Sequence, residues 1–219
     1  DNRVFFEIKG KYAPEMVTGF IKLNGMTVGA VANRTEVYGE EGVEKKFDAV
    51  LTVKGCYKAA DFVKFCDAFN IPVLTLTNVK GYEATVCSEK GIATAVAKLT
   101  HAFADATVPK VNVVIGEAFG SAYIAMNSKA IGADIVMAWP DAEIGAMDAT
   151  LAAKIMYDGK DADTIKEKAA EYGLTVAQVF QMVMGEMASS SSATTISTDE
   201  KDYEVFVSSE MATDFTRDD

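Results

Sequence analysis

Apolar positions recur along the chain at two spacings, and the changes between them mark the elements. Residues 4–8 (Val-Phe-Phe-Glu-Ile) predict a short strand. Two apolar runs, 20–23 and 26–31, flank Asn24-Gly25. That dipeptide tolerates the positive φ angles of a type I′ turn, so a hairpin is expected. Residues 35–48 are polar and Gly-containing and predict a loop. Ala59, Phe62, Val63, Cys66 and Phe69 stand at helical spacing and predict a helix over 57–69, ended by Asn70-Ile71-Pro72. A buried strand follows at 72–78. An amphipathic helix covers 90–106, with Ile92, Val96, Leu99 and Phe103 as its core face. Next come a strand at 110–116, a small-residue helix at 121–130 and a strand at 134–138. Helices are expected at 149–157, 162–172 and 175–187. The last carries an apolar stripe of Val176, Val179, Phe180, Val183, Met184 and Met187. Strands alternate with helices from 57 to 157, which argues for an α/β domain built from crossover units. Residues 188–198 are Ser/Thr-rich and read as a linker or surface loop. The expected organisation is therefore one domain over 1–187 and, over 188–219, a linker with an acidic C-terminal segment.

The 219 residues carry 21 Lys+Arg against 32 Asp+Glu, a net charge of −11. Such a surface repels phosphate backbones, so nucleic acid is not an expected partner. Every apolar stretch is interrupted by charge, so membrane insertion is not expected either. The three cysteines, Cys56, Cys66 and Cys87, form no CxxC pair and read as reduced thiols, which places the chain in the cytoplasm. The first residues have no signal-peptide pattern, and the missing initiator Met reads as a fragment or a processed product. One histidine excludes a two-His zinc helix. His101 falls opposite the expected core face and reads as solvated. No acidic spacing resembles a calcium loop, so no metal is expected. Trp139-Pro140 reads as core and turn, and most of the ten methionines as core filler. Lys98 and Lys129 read as solvated lysines within reach of phosphates.

One stretch carries candidate chemistry. After the strand expected to end at Gly116, Gly120, Ser121 and Ala122 open a helix with almost no side-chain bulk. Backbone N–H groups are exposed at a helix start, and the dipole adds positive potential there. Small residues let a ligand oxygen approach those amides, which makes a candidate oxyanion hole. Neither GxGxxG nor GxxxxGK occurs. Ser121 is no nucleophile elbow, because Phe119 and Tyr123 stand where Gly is required.

Several segments occur in an order that resembles a known family. They are Phe65-Cys-Asp-Ala-Phe-Asn-Ile-Pro-Val, Ala106-Thr-Val-Pro-Lys-Val, Ala118-Phe-Gly-Ser-Ala-Tyr-Ile-Ala-Met-Asn-Ser-Lys, Gly132-Ala-Asp and Ala138-Trp-Pro-Asp-Ala-Glu-Ile. Together with Phe6-Glu-Ile, Val17-Thr-Gly-Phe and Val28-Gly-Ala-Val-Ala-Asn, they resemble the C-terminal domain of the acyl-CoA carboxyltransferases (propionyl-, methylmalonyl- and glutaconyl-CoA types) over residues 4–157. The resemblance implies a crotonase (ClpP/crotonase-like) fold of repeated ββα units. It implies carboxyl transfer between carboxybiotin, presented on a biotin carboxyl carrier protein or domain, and a coenzyme A thioester. It also implies an N-terminal carboxyltransferase domain as partner, in a homo-oligomer. The amides of Ser121 and Ala122 would stabilise charge on the biotin ureido oxygen. Gly120 would shape the turn, and Tyr123 and Ile124 would line the pocket beside the loop at Gly81 and Tyr82.

The chain departs from the family pattern at named places. Gly120-Ser121 replaces two glycines, and Lys80-Gly-Tyr-Glu-Ala-Thr85 replaces a Pro-Gly-Phe-Leu-Pro-Gly loop. Gly91-Ile-Ala-Thr-Ala-Val-Ala-Lys-Leu lacks an Arg-His pair, Ala146-Met-Asp-Ala-Thr-Leu replaces Val-Met-Gly-Ala-Glu-Gly, and residues 158–202 read as an insertion. A transferase subunit of an acyl-CoA decarboxylase is the alternative of the same fold. A catalytically silent structural subunit is the alternative of another class.

Overall fold

The computed structural model describes residues 4–39, 42–159, 161–175, 177–180, 182, 194–198 and 201–205. β1 (Phe6–Glu7) lies antiparallel to β2 (Met16–Leu23), which pairs antiparallel with β3 (Met26–Asn33). Asn24 and Gly25 make the hairpin turn at φ 51° and 82°, as their chemistry dictates. The expected loop at 35–48 is instead a second hairpin, β4 (Glu36–Gly39) with β5 (Gly42–Lys46). Its β5 strand is exposed throughout, so no apolar face gives the period of two away.

β6 (Val50–Leu51) leads into α1 (Val53–Ala68), which begins four residues before the expected start at 57. Thr52 fixes that start, because its side chain accepts a hydrogen bond from Gly55 N. α1 buries Cys56, Ala59, Phe62, Val63 and Cys66, and its C-terminus gives way at Asn70, whose φ is 54°. β7 (Val73–Val79), β8 (Gly81–Tyr82), α2 (Val86–Glu89), α3 (Ile92–Asp105) and β9 (Lys110–Phe119) follow. β9 does not end at Gly116. Its last residues gain a partner in β11 (Glu143–Gly145), which prolongs the strand to Phe119. α4 (Gly120–Ala125) is shorter than the expected 121–130 helix, since Asn127 takes φ 58° and a 3-10 turn occupies Lys129–Ile131. β10 (Ile135–Ala138), α5 (Ala149–Met156) and α6 (Ala162–Tyr172) lie where expected. β12 (Thr194–Thr198) and β13 (Lys201–Val205) pair antiparallel, within the stretch read as linker and tail. Of the expected 175–187 helix, residues 177–180 and 182 are helical, and Val176, Val183, Met184 and Met187 lie outside the described residues.

The main sheet runs β1-β2-β3-β7-β9-β10, parallel from β3 onward, with β11 beside the end of β9. α1 and α3 are the crossover helices. With α4 they bury one cluster, including Val31, Leu51, Val63, Val79, Leu99, Phe103 and Met126. The opposite sheet face is less covered. In register across it, Leu74, Leu76, Val111 and Val113 stay half-buried, while Ile135 and Met137 are exposed.

Two lysines are buried by design of their contacts. Lys58, 1% exposed, donates from Nζ to the carbonyls of Tyr12 (2.8 Å), Ala13 (3.2 Å) and Met16 (2.6 Å). Lys110 donates to Phe103 O (2.7 Å) and Ala106 O (2.8 Å), satisfying carbonyls that the end of α3 leaves free. His101 is exposed, as read from its helical phase. Trp139 is not core: it is exposed at the turn after β10, where Ala142 N bonds back to its carbonyl. Met16 and Met126 fill the core, but Met26, Met137, Met147, Met156 and Met182 are exposed, so the filler reading fails for those five.

Candidate active site

The strand-to-helix junction at Gly120 is built by two constraints on one residue. Gly120 has φ +57°, and a Cβ there would sit 2.9 Å from the carbonyl oxygen of Ala146 in the loop after β11. Only glycine combines that left-handed backbone with so close an approach. The turn delivers Ser121 and Ala122 to the first turn of α4. The N-cap residue is Phe119, and no side chain caps the helix. The early N–H groups of α4 are therefore left for something other than a cap. Ala122 is buried, while Ser121 is exposed.

A long-range pairing brings the second half of the site. β6 and β8 pair in parallel, Val50 with Gly81 and Leu51 with Tyr82, and β8 lies against α4. Tyr82 Oη donates to Ser121 Oγ at 3.0 Å. Gly81 has open space where a Cβ would stand. The capping box of Thr85 and Ser88 holds the chain after β8.

Tyr82 also lines a cleft of about 1140 Å³, bounded by segments 11–15, 47–54 and 82–91. Its charged walls are balanced: Lys11, Lys54 and Lys90 face Glu15, Asp48 and Glu83. Lys54, Thr85 and Cys87 of this cleft were not among the expected site residues. No local motif names them, because the three segments meet only through long-range contacts, the β6–β8 pairing and the Thr52–Glu15 hydrogen bond.

The expected residues do not all converge. Gly120, Ser121, Ala122 and Tyr82 come together, with Gly81 next to them. Ile124 is 42% exposed. Tyr123 instead packs against both apolar clusters, and burial raises its phenol pKa. Lys98 Nζ lies over the Tyr57 ring at 4.8 Å, and Lys129 Nζ donates to Asp134 O at 3.0 Å, so each has a partner within the chain. Among the described residues, no group of three or more His, Cys, Asp or Glu side chains could hold a metal ion. Among them, too, no helix is long and apolar enough to cross a membrane.

The fold is that of the carboxyltransferases of the crotonase-like class. The chain belongs to the carboxyl transferase domain family, whose model matches residues 1–212. It is 45% identical over 179 residues to a putative propionyl-CoA carboxylase beta chain of Bacillus subtilis (strain 168), covering 78% of this chain and 34% of that one. It is 39% identical over 188 residues to the methylmalonyl-CoA decarboxylase subunit alpha of Propionigenium modestum, covering 83% and 35%. A crystal structure of transcarboxylase 12S, described as a hexamer and solved with methylmalonyl-coenzyme A and methylmalonic acid bound, superposes with a TM-score of 0.72 and 37% identity. That match covers 84% of this chain and 35% of that one. The chain thus spans about a third of the length of the curated relatives it matches. These likenesses bear out the crotonase-like α/β fold and the family resemblance.

Proposed function

We propose that the chain supplies the biotin-side half of an active site for carboxyl transfer between carboxybiotin and an acyl-CoA. The observation that carries this reading is the turn at Gly120, in a member of the carboxyl transferase domain family. Its glycine-only backbone opens a helix that has no side-chain cap, next to Tyr82, which lines a roomy, charge-balanced cleft. A neutral ring with one strongly accepting ureido oxygen fits such a place: the amides meet the oxygen, and the charge-balanced walls place no excess charge against the rings. When bound, carboxybiotin supplies the carboxyl group. The chain's own residues orient and polarise. Ser121 and Ala122 N–H groups donate to the oxygen as its negative charge grows, without titrating, and Gly120 gives them their direction. Tyr123 holds α4 from the core side, while Ile124 and the loop at Gly81 and Tyr82 border the ligand.

The acyl-CoA would be held by an N-terminal carboxyltransferase domain, and the biotin would arrive on a carrier protein or domain. The hexamer described for transcarboxylase 12S supports a homo-oligomer. Residues 1–187 would form the domain and 188–219 its following segment. The three free cysteines support a cytoplasmic setting. The Propionigenium relative favours a second reading, the same transfer site working in a decarboxylase.

The test is transcarboxylation with free biotin and malonyl-CoA or methylmalonyl-CoA, with and without an N-terminal domain. Ser121→Pro removes one amide donor within the first turn of α4, where no intrahelical N–H bond is lost. Turnover that needs the partner and falls in Ser121→Pro supports the reading. A folded chain that gives no turnover with any partner or thioester sinks it and leaves a silent structural subunit.

A further inference from the structure

We propose that Tyr82 is a positioning residue that holds the Ser121 hydroxyl away from the α4 amides and so keeps those donors open. This rests on the reading of those amides as the ureido-oxygen site. A serine hydroxyl in the first turn of a helix can fold back and bond the neighbouring backbone groups. At this turn such a bond would compete with the ligand for the same donors. The structure has the hydroxyl engaged elsewhere: Ser121 Oγ accepts from Tyr82 Oη at 3.0 Å, and no side chain caps α4.

Tyr82 is suited to that task by its mounting. Its backbone is fixed in β8 opposite Leu51, which is fully buried, and its ring packs against the main apolar cluster. The phenol therefore arrives at Ser121 from a rigid base, across a sequence separation of 39 residues. Accepting from Tyr82 occupies one lone pair of Ser121 Oγ and leaves its hydrogen free to donate outward. The pair thus makes a serine compatible with a turn whose chemistry asks for bare backbone.

A double-mutant cycle on the 219-residue chain tests this, with biocytin as the probe and the Ser121 and Ala122 amide resonances as the readout. Tyr82→Phe keeps the ring and removes the donor. In the Ser121 background it raises the biocytin Kd roughly 2- to 12-fold, the worth of one net hydrogen bond. In the Ser121→Gly background, which retains the N–H but has no hydroxyl to hold, Tyr82→Phe changes Kd by no more than the error. Equal losses in both backgrounds, or no loss in the first, overturn the inference, since Tyr82 then acts on the ligand or on nothing. If the unmutated chain gives no response to biocytin, the site reading fails. The pair is then decided in the free chain by the Hα–Hβ couplings of Ser121. A single rotamer that Tyr82→Phe scatters upholds it, and couplings that are the same in both chains overturn it.

Discussion

The carbonyl oxygen of Ala146 stands 2.9 Å from the place a Cβ on Gly120 would take, so the loop after β11 and the start of α4 touch backbone to backbone. The contact cannot be eased by a side-chain rotation, and the φ of +57° adds its own strain for any other residue. Gly120→Ala is therefore expected to destabilise the chain by about 1–3 kcal/mol in urea unfolding. Gly81→Ala, whose Cβ would meet nothing within 4 Å, should stay within about 0.5 kcal/mol of the parent. Equal costs at the two glycines would refute the close approach.

Thr52 ends one element and ties down another. Its hydroxyl oxygen accepts from Gly55 N at 2.9 Å and donates to Glu15 Oε1 at 2.5 Å. Thr52→Ala should cost about 0.5–2 kcal/mol, as loss of an N-cap does. Thr52→Ser should recover most of it, measured by the same unfolding curves.

The cysteines differ by burial. Cys56 and Cys66 are wholly buried, and burial pushes both thiols up to about 12, whereas Cys87 is exposed. A disulfide reagent at pH 8 should titrate one thiol in the folded chain and three after denaturation. In the folded state the two buried thiols keep protons that the unfolded chain releases near 9. Their contribution to stability is complete below that pH and is lost as pH rises toward 12, by up to about 1.4 kcal/mol per pH unit for each thiol. A chain with Cys56→Ala and Cys66→Ala should show a shallower alkaline loss than the parent. Identical slopes would exclude the thiols as its source.

Lys58 runs the other way. Burial lowers its pKa, Glu7 and Glu15 oppose the shift, and Arg34 and Lys9 add to it. The ammonium is the disfavoured form in the fold, so stability gained from this group rises with pH just below 10.5. Lys58→Met removes that gain. It also removes the Lys58 donor from three carbonyls, of which Ala13 O keeps Met16 N, and costs about 1–3 kcal/mol at neutral pH. Limited proteolysis should then cut between residues 11 and 16, which the parent resists.

Much of the architecture is written in local chemistry. Asn24-Gly25 names its turn, the Ala59–Phe62–Val63–Cys66 spacing names the buried face of α1 although Phe69 of the same series is exposed, and Gly120-Ser121-Ala122 marks the helix start that proves to be uncapped. What escapes local reading depends on distant partners or on missing contrast. β5 is exposed on both faces, with Val43 its one large apolar residue, so its pairing leaves no period. The true end of β9 depends on β11, two dozen residues further along. The helix start at Val53 was legible in Thr52, but Lys54-Gly55 breaks the apolar rhythm there. Tyr82 reaches Ser121 only because β6 and β8 pair, a fact no window of adjacent residues contains.

Lys58 has one more consequence, through the segment it grips. Every carbonyl from Tyr12 to Met16 has a donor: Lys58 Nζ serves residues 12, 13 and 16, Arg34 Nε serves Pro14, and Arg34 N serves Glu15. Tyr12, Ala13, Pro14 and Glu15 form one wall of the cleft. That wall is already ordered before anything enters, so a guest need not spend its binding energy on freezing a loop. Selectivity at this wall then comes from matching a fixed shape, and a guest that fits poorly finds no slack in the backbone to accommodate it.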